Sequence, residues 1–168
     1  MMHQQTSYRV TTFSTALGLF SLAATREGAL VGAAFGGEEA LAARLPRGAT
    51  LVSAPESGAL SEAKAALTSY LAGHLRELDL PVAPIGSPFQ LRVWAALQRI
   101  ERGTTRTYGE LARELATSPR AVGRANATNP LCVVIPCHRV TGAAGALTGF
   151  AFGLEVKAKL LALEAVGP

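Results

Sequence analysis

A thiol and an imidazole stand side by side at Cys137-His138, within the run Ile135-Pro136-Cys137-His138-Arg139-Val140. A cysteine attacks as thiolate, and a neighbouring imidazole and guanidinium are the groups that favour that form. The apolar run ahead of it, Leu131-Cys132-Val133-Val134-Ile135, reads as a buried strand too short to be a helix. Pro136 ends that strand, because it cannot donate to a ladder and its φ is fixed, so Cys137 is expected at a stiff corner. The competing reading is an inert buried cysteine, since this residue type packs as a small hydrophobe and adjacent residues need not face each other.

The elements that must hold this corner are predicted from local signals. Ser87, Pro88 and Gln90 form a helix start, with Ser87 as N-cap and Gln90 completing a capping box. Phe89, Val93, Trp94, Leu97 and Ile100 then share one face up to about Arg102, and Gly103 ends the helix. Thr107 with Glu110 caps a second helix to Leu115, and Ser118-Pro119 opens a third from Arg120 to Ala127, closed by Asn129-Pro130. Two short helices around a tight turn resemble a helix-turn-helix. The third helix is rich in small residues (Ala121, Gly123, Ala125, Ala127), which suits close approach of a duplex in the minor groove and equally suits tight helix packing. A last helix spans Leu154 to Ala165, with Val156, Leu160, Leu161 and Leu163 toward a core and Lys157 and Lys159 toward solvent. Glu164 near its end opposes the helix dipole, so it is either frayed or held by a partner.

The first half carries no recognisable chemistry. Tyr8–Phe13, Leu19–Ala24 and Ala29–Phe35 are β-like runs separated by turn signals, which predicts an antiparallel meander. Glu38 to Leu45 reads as a short helix and Ser61 to Leu75 as a longer one capped by Ser61. The Pro/Gly-rich stretch from Leu80 to Pro88 reads as a linker. The organisation expected is a scaffold domain over residues 1–80, a linker over 81–88 and a second domain over 89–168.

A hydrophobic content of 49% against 17% charged fits a folded globular chain. No apolar run approaches the length of a membrane span, and Met1 to Val10 lacks the apolar core of a signal peptide, so a cytoplasmic location is expected. Cys132 and Cys137 are too few for a disulfide framework and too close along the chain to bridge each other. Residues 1–84 hold six Arg/Lys against seven Asp/Glu, and residues 85–168 hold ten against five. The basic excess of the second half is mainly arginine (Arg92, Arg99, Arg102, Arg106, Arg113, Arg120, Arg124, Arg139), which suits a polyanion partner or a plain solvated surface.

Asn129-Pro130, the Pro136-Cys137-His138-Arg139-Val140 box and Gly145-Ala146-Leu147-Thr148-Gly149-Phe150 together resemble the O6-alkylguanine-DNA alkyltransferase family, over about Pro88 to Glu164 and more loosely upstream. The resemblance implies an α+β protein: an N-terminal antiparallel β-sheet domain (ribonuclease H-like) with helices, and a mainly helical, winged helix-turn-helix-like C-terminal domain. It implies double-stranded DNA containing O6-alkylguanine as partner, base flipping, and irreversible transfer of the alkyl group to Cys137 in a single turnover. His138 would act as base through a water, with Glu164 orienting it. Asn129 would brace the turn, Tyr108 would press on the phosphate of the flipped nucleotide and donate a proton toward the base, and Arg120 would replace that base in the stack. Ala121, Gly123, Arg124, Ala127 and Arg139 are further expected DNA contacts. Val140, Phe150 and Ala151 would wall the pocket. Trp94 is grouped with them, although its spacing also reads as core packing. No cofactor, no metal, no membrane contact and a monomer are expected; some relatives carry an N-terminal zinc site, for which His3 and His74 alone do not suffice.

Three departures from the family pattern stand out. The Tyr108–Arg120 segment is about two residues shorter, Phe150 lacks the hydroxyl of a common tyrosine, and Cys132 stands where a second thiol can border the pocket, with inert core the favoured reading. The rival readings are a non-repairing sensor of alkylated DNA, which would lack the cysteine, a helix-turn-helix regulator, and a Cys-His hydrolase, which would need an oxyanion hole. A zinc deaminase would need H-x-E with P-C-x-x-C, and neither is present.

Overall fold

In the computed structural model, residues 6–53, 55 and 58–166 are described, so His3 lies outside them. The chain divides into two units, Met1–Ile85 and Gly86–Pro168.

In the first unit, β1 (Ser7–Thr15), β2 (Gly18–Ala24) and β3 (Leu30–Phe35) form the expected antiparallel meander. Gly18 and Gly28 take positive φ at its turns, where a side chain would be strained. After α1 (Glu38–Ala42), a strand the sequence reading missed, β4 (Thr50–Ser53), pairs parallel with β1, giving the order β3-β2-β1-β4. Its four residues are too few and too exposed to show a clean alternation. α2 spans Ala59–Leu71 and packs on β1 and β2. Its N-cap is Gly58, three residues before the expected cap Ser61, so Ser61 lies inside the helix. Phe20 sits in the core, edge-on to Phe35 at 4.9 Å. Gly32 lies under α1, where a Cβ would come within 2.9 Å of Leu41. Part of the stretch read as linker has its own place here: Leu30 N–H donates to Pro81 O and Ala83 N–H to Leu30 O. β3 thereby acquires a neighbour on its outer edge.

The second unit is built on three capped helices. In α3 (Pro88–Gln98), Ser87 Oγ accepts from Gln90 N–H while the Gln90 side chain accepts from Ser87 N–H. In α4 (Tyr108–Glu114), Thr107 and Glu110 make the same reciprocal pair. Ser118 caps α5 (Pro119–Ala127). Each such cap is worth about 1 kcal/mol, which explains why these starts are legible locally. α4 and α5 pack on each other around a turn in which Ala116 has φ +53. Two short strands, β5 (Arg106–Thr107) and β6 (Val140–Thr141), pair in parallel beside them. α6 (Leu154–Ala165) closes the unit.

Trp94 belongs to the core rather than to a substrate pocket: it is 2% exposed and its indole N–H donates to Ala125 O at 2.8 Å, bracing α5 from beneath. Glu114 receives Arg99 at 2.5 Å and also pairs with Arg106, tying the end of α3 and β5 to the helix-turn-helix.

Candidate active site

The run Leu131–Ile135 is not a strand. Asn129, 1% exposed, folds it into a buried turn: its Nδ2 donates to Ile135 O at 2.8 Å and its Oδ1 accepts from Leu131 N–H at 2.9 Å. Ile135 N–H closes the turn onto Leu131 O, and Val133 takes φ +71 at its apex. An apolar run records burial, not conformation, and the side chain that bends this one lies outside it. Replacing Asn129 by alanine would orphan Leu131 N–H and take one donor from Ile135 O. An expected loss of about 1–3 kcal/mol follows, to be read by urea denaturation of the two proteins.

Pro136 then turns the chain sharply. Its φ of −79° and ψ of 66°, with Cys137 N–H donating to Ile135 O at 2.8 Å, make an inverse γ-turn. Cys137, His138 and Arg139 continue as one 3₁₀ turn. Cys137 is 6% exposed, and both cysteines are buried and outside any disulfide.

His138 and Glu164 side chains are fully buried, with His138 Nε2 2.7 Å from Glu164 Oε1. A carboxylate only accepts, so Nε2 carries the hydrogen and Nδ1 presents a lone pair. That Nδ1 is buried with no protein partner, free to take a proton. Of the alternatives left open for Glu164, the structure selects a held group. Arg139 grips the other side of the carboxylate, with Nε to Oε2 and Nη2 to Oε1 both at 3.0 Å, and also donates to Ile100 O. Arg139 is therefore occupied inside the fold, with its side chain 12% exposed, and its expected role at DNA is corrected. The guanidinium was assigned from net charge, which does not distinguish a surface cation from one needed by a buried carboxylate.

A second correction adds a residue to the site. Lys157, expected in solvent, is 0% exposed. Its ammonium donates to Val140 O at 2.5 Å, Thr148 O at 2.9 Å and Gly149 O at 3.5 Å. It pins the 148–149 loop to the strand that follows Cys137. Burial lowers its pKa, and negative charge on Cys137 works in the opposite direction. Helical periodicity could not have found it, because its partners are backbone carbonyls from other elements.

Tyr108 opens α4 and reaches across to the same loop, its hydroxyl donating to Thr148 O at 3.4 Å. Burial raises its phenol pKa, Cys137's charge raises it further, and the Asn126 and Thr148 side chains oppose both. Val140 is buried, Phe150 half-buried against Phe152, and Ala151 exposed. On α5, Arg120, Arg124 and Ala127 are exposed, Ala121 and Gly123 half-buried. Gly123 faces the Tyr108 ring, with a Cβ there at 3.9 Å. The structure thus brings Cys137, His138, Glu164, Asn129 and Tyr108 together in one unit, and leaves the α5 residues on an outer helix face beside them. Asn126 and Lys157 are the neighbours that sequence reasoning missed.

A four-stranded sheet unit followed by a helix-turn-helix unit with a buried Cys-His-Glu array is the architecture of a known class. The 6-O-methylguanine DNA methyltransferase ribonuclease-like domain matches residues 8–84, and the DNA binding domain of the same enzymes matches residues 88–166. The methylated-DNA–protein-cysteine methyltransferase of Methanosarcina acetivorans is 50% identical over 105 residues, 61% of this chain and 67% of the relative. That of Mycolicibacterium paratuberculosis is 53% identical over 100 residues, 58% of this chain and 61% of its own. Among solved structures, Mycobacterium tuberculosis OGT in complex with DNA is similar with a TM-score of 0.78 and 37% identity, covering 95% of this chain and 92% of that one. An O6-methylguanine DNA methyltransferase from Methanococcus jannaschii gives 0.65 and 30%, covering 94% and 95%. The chain belongs to the 6-O-methylguanine DNA methyltransferase family. Among the described residues, no helix is long and apolar enough to cross a membrane.

Proposed function

We infer that this protein repairs O6-alkylguanine in double-stranded DNA by direct reversal, moving the alkyl group onto its own cysteine. The observation that carries the reading is the buried Glu164–His138 pair on the 3₁₀ turn that begins with Cys137. In the proposed reaction, His138 Nδ1 takes the thiol proton through a water. The Cys137 sulfur then attacks the alkyl carbon, the S–C bond forms as the C–O6 bond breaks, and guanine leaves as an anion that takes up a proton from Tyr108. Tyr108 regains its proton from solvent. The thioether has no route back, so each molecule reacts once.

A base inside a duplex is out of reach of such a buried sulfur, so flipping is part of the reading. Arg120, at the exposed start of α5, is assigned to fill the gap in the stack, with Arg124 and the small residues of that helix lying along the backbone. Val140, Phe150 and Ala151 are assigned to the pocket wall. The assembly is proposed to act as a monomer in the cytoplasm, at the nucleoid if the source is prokaryotic. Cys137 argues against the sensor alternative, since binding without repair needs no thiol.

Mass spectrometry of the intact protein after mixing with equimolar duplex bearing one O6-methylguanine tests the reading. The expected result is a gain of one methylene on the Cys137 peptide, absent in Cys137→Ser; tight binding with no gain would establish the sensor instead. Arg120→Ala should slow transfer from duplex while leaving transfer from the free base O6-benzylguanine unchanged. Equal duplex rates would remove Arg120 from the finger role. Duplex affinity should also fall as salt rises, because phosphate contacts release counterions; a flat response would count against α5 as the contact face.

A further inference from the structure

The buried polar groups near Cys137 that this reaction leaves unused converge on Asn126. It lies on the inner side of α5 and is 5% exposed. Its Nδ2 donates to the Cys137 carbonyl at 3.4 Å. One turn before it on the same helix, Gly123 lies against the Tyr108 ring, with a Cβ there at 3.9 Å. The Asn126 carboxamide lowers the pKa of that phenol, whose own hydrogen bond, to Thr148 O, is long at 3.4 Å. Asn126 Oδ1 is buried with no protein partner. A core asparagine kept only for packing would satisfy both ends of its amide, since an unused buried acceptor is costly. Leucine, of nearly the same size, would fill the position without that cost. The amide's donor end therefore gives the residue its use.

We propose that Asn126 is a positioning residue for Tyr108: anchored on the Cys137 carbonyl, its carboxamide holds the phenol against the reaction centre and ties that geometry to the helix carrying Arg120 and Arg124. It acts through the phenol and touches neither sulfur nor alkyl group. Burial and the Cys137 charge both push the phenol toward the neutral form, and the Asn126 amide opposes them. Without the amide, Tyr108 becomes a weaker acid and a less fixed donor, so departure of the guanine anion slows. The kinetic consequence rests on the alkyl-transfer reading above; the effect on the phenol does not.

The test pairs Asn126→Leu with Tyr108→Phe in the full chain. With ring-fluorinated tyrosine incorporated, which brings phenol titration to accessible pH, the Tyr108 fluorine signal (assigned by its loss in Tyr108→Phe) should titrate at higher pH in Asn126→Leu. An unmoved titration overturns the proposal. In single-turnover transfer from O6-methylguanine duplex, Asn126→Leu should slow the wild type at least about tenfold, with duplex affinity unchanged. In the Tyr108→Phe background the same substitution should cost less than about twofold, because residues acting as a unit are non-additive. An equal loss in both backgrounds would mean that Asn126 acts on the cysteine turn or on folding, and the proposal fails. A wild type that does not transfer would sink the repair reading, and the fluorine titration alone then decides on Asn126. Should Asn126→Leu fold poorly, Asn126→Ala is titrated and judged in the same way.

Discussion

Glu164→Gln is expected to slow alkyl transfer by orders of magnitude while leaving the protein folded and able to bind duplex. The carboxylate now receives Arg139 on both oxygens and His138 on one. A glutamine has one oxygen, and the guanidinium, a pure donor, will claim it. The amide NH₂ is then turned toward His138 Nε2, which must become an acceptor. The ring proton moves to Nδ1, the nitrogen proposed to receive the thiol proton, and the base is lost. A fall of about 10²–10⁴ in single-turnover rate is the scale for losing such a base. Glu164→Ala should behave differently. It leaves a buried guanidinium and a buried imidazole without their common partner, and breaking a buried pair from one side costs about 3–5 kcal/mol. Comparing rates and urea melts of the two variants separates the roles. If Glu164→Gln transferred at the wild-type rate, Glu164 would be a structural partner of Arg139 and no part of the base.

Lys157→Met should slow transfer by about 10²-fold, the scale for misplacing a reacting group by roughly 1 Å. Methionine matches the stem and fills the volume but donates nothing to Val140, Thr148 or Gly149. The loop that carries Thr148 is then held by Tyr108 alone among the side-chain donors described. The variant also changes the pH dependence of stability, and the sign is fixed. The folded protein gives up the Lys157 proton at lower pH than the unfolded chain does, because burial lowers its pKa from 10.5. Between those two values the unfolded chain holds more protons, so wild-type stability gains a rising contribution as pH climbs toward 10.5. Lys157→Met lacks that contribution. Urea melts across the alkaline range measure it, and parallel curves for the two proteins would show that the ammonium is solvated in the folded state.

These two expectations come from opposite ends of what the sequence makes legible. Glu164 could be suspected from sequence, as an acid misplaced at a helix end with a family counterpart. What binds it was left open, because its partners His138 and Arg139 lie 26 and 25 residues away. Lys157 was read wrongly for a physical reason. Position on an amphipathic helix assigns a lysine to solvent by default, and only the converging carbonyls of three residues from two other segments reverse that. Arg139 failed in the same manner, as a charge assigned to DNA before its buried counter-ion was visible.

What the sequence determined by itself was chiefly local. The caps at Ser87, Thr107 and Ser118 bond within three residues, so the starts of α3, α4 and α5 could be read directly, as could the meander with its glycine turns. The Cys137-His138 pair and its flanking boxes identified the chemistry. Tertiary structure decided the rest. It made the apolar run 131–135 a turn folded around Asn129, added β4 parallel to β1, moved Trp94 from pocket to core, and aimed Asn126 at the Cys137 carbonyl. Each of these depends on a donor or acceptor supplied from elsewhere in the fold. Periodicity reports that a residue is buried; only the folded chain supplies the partner that says what it does there.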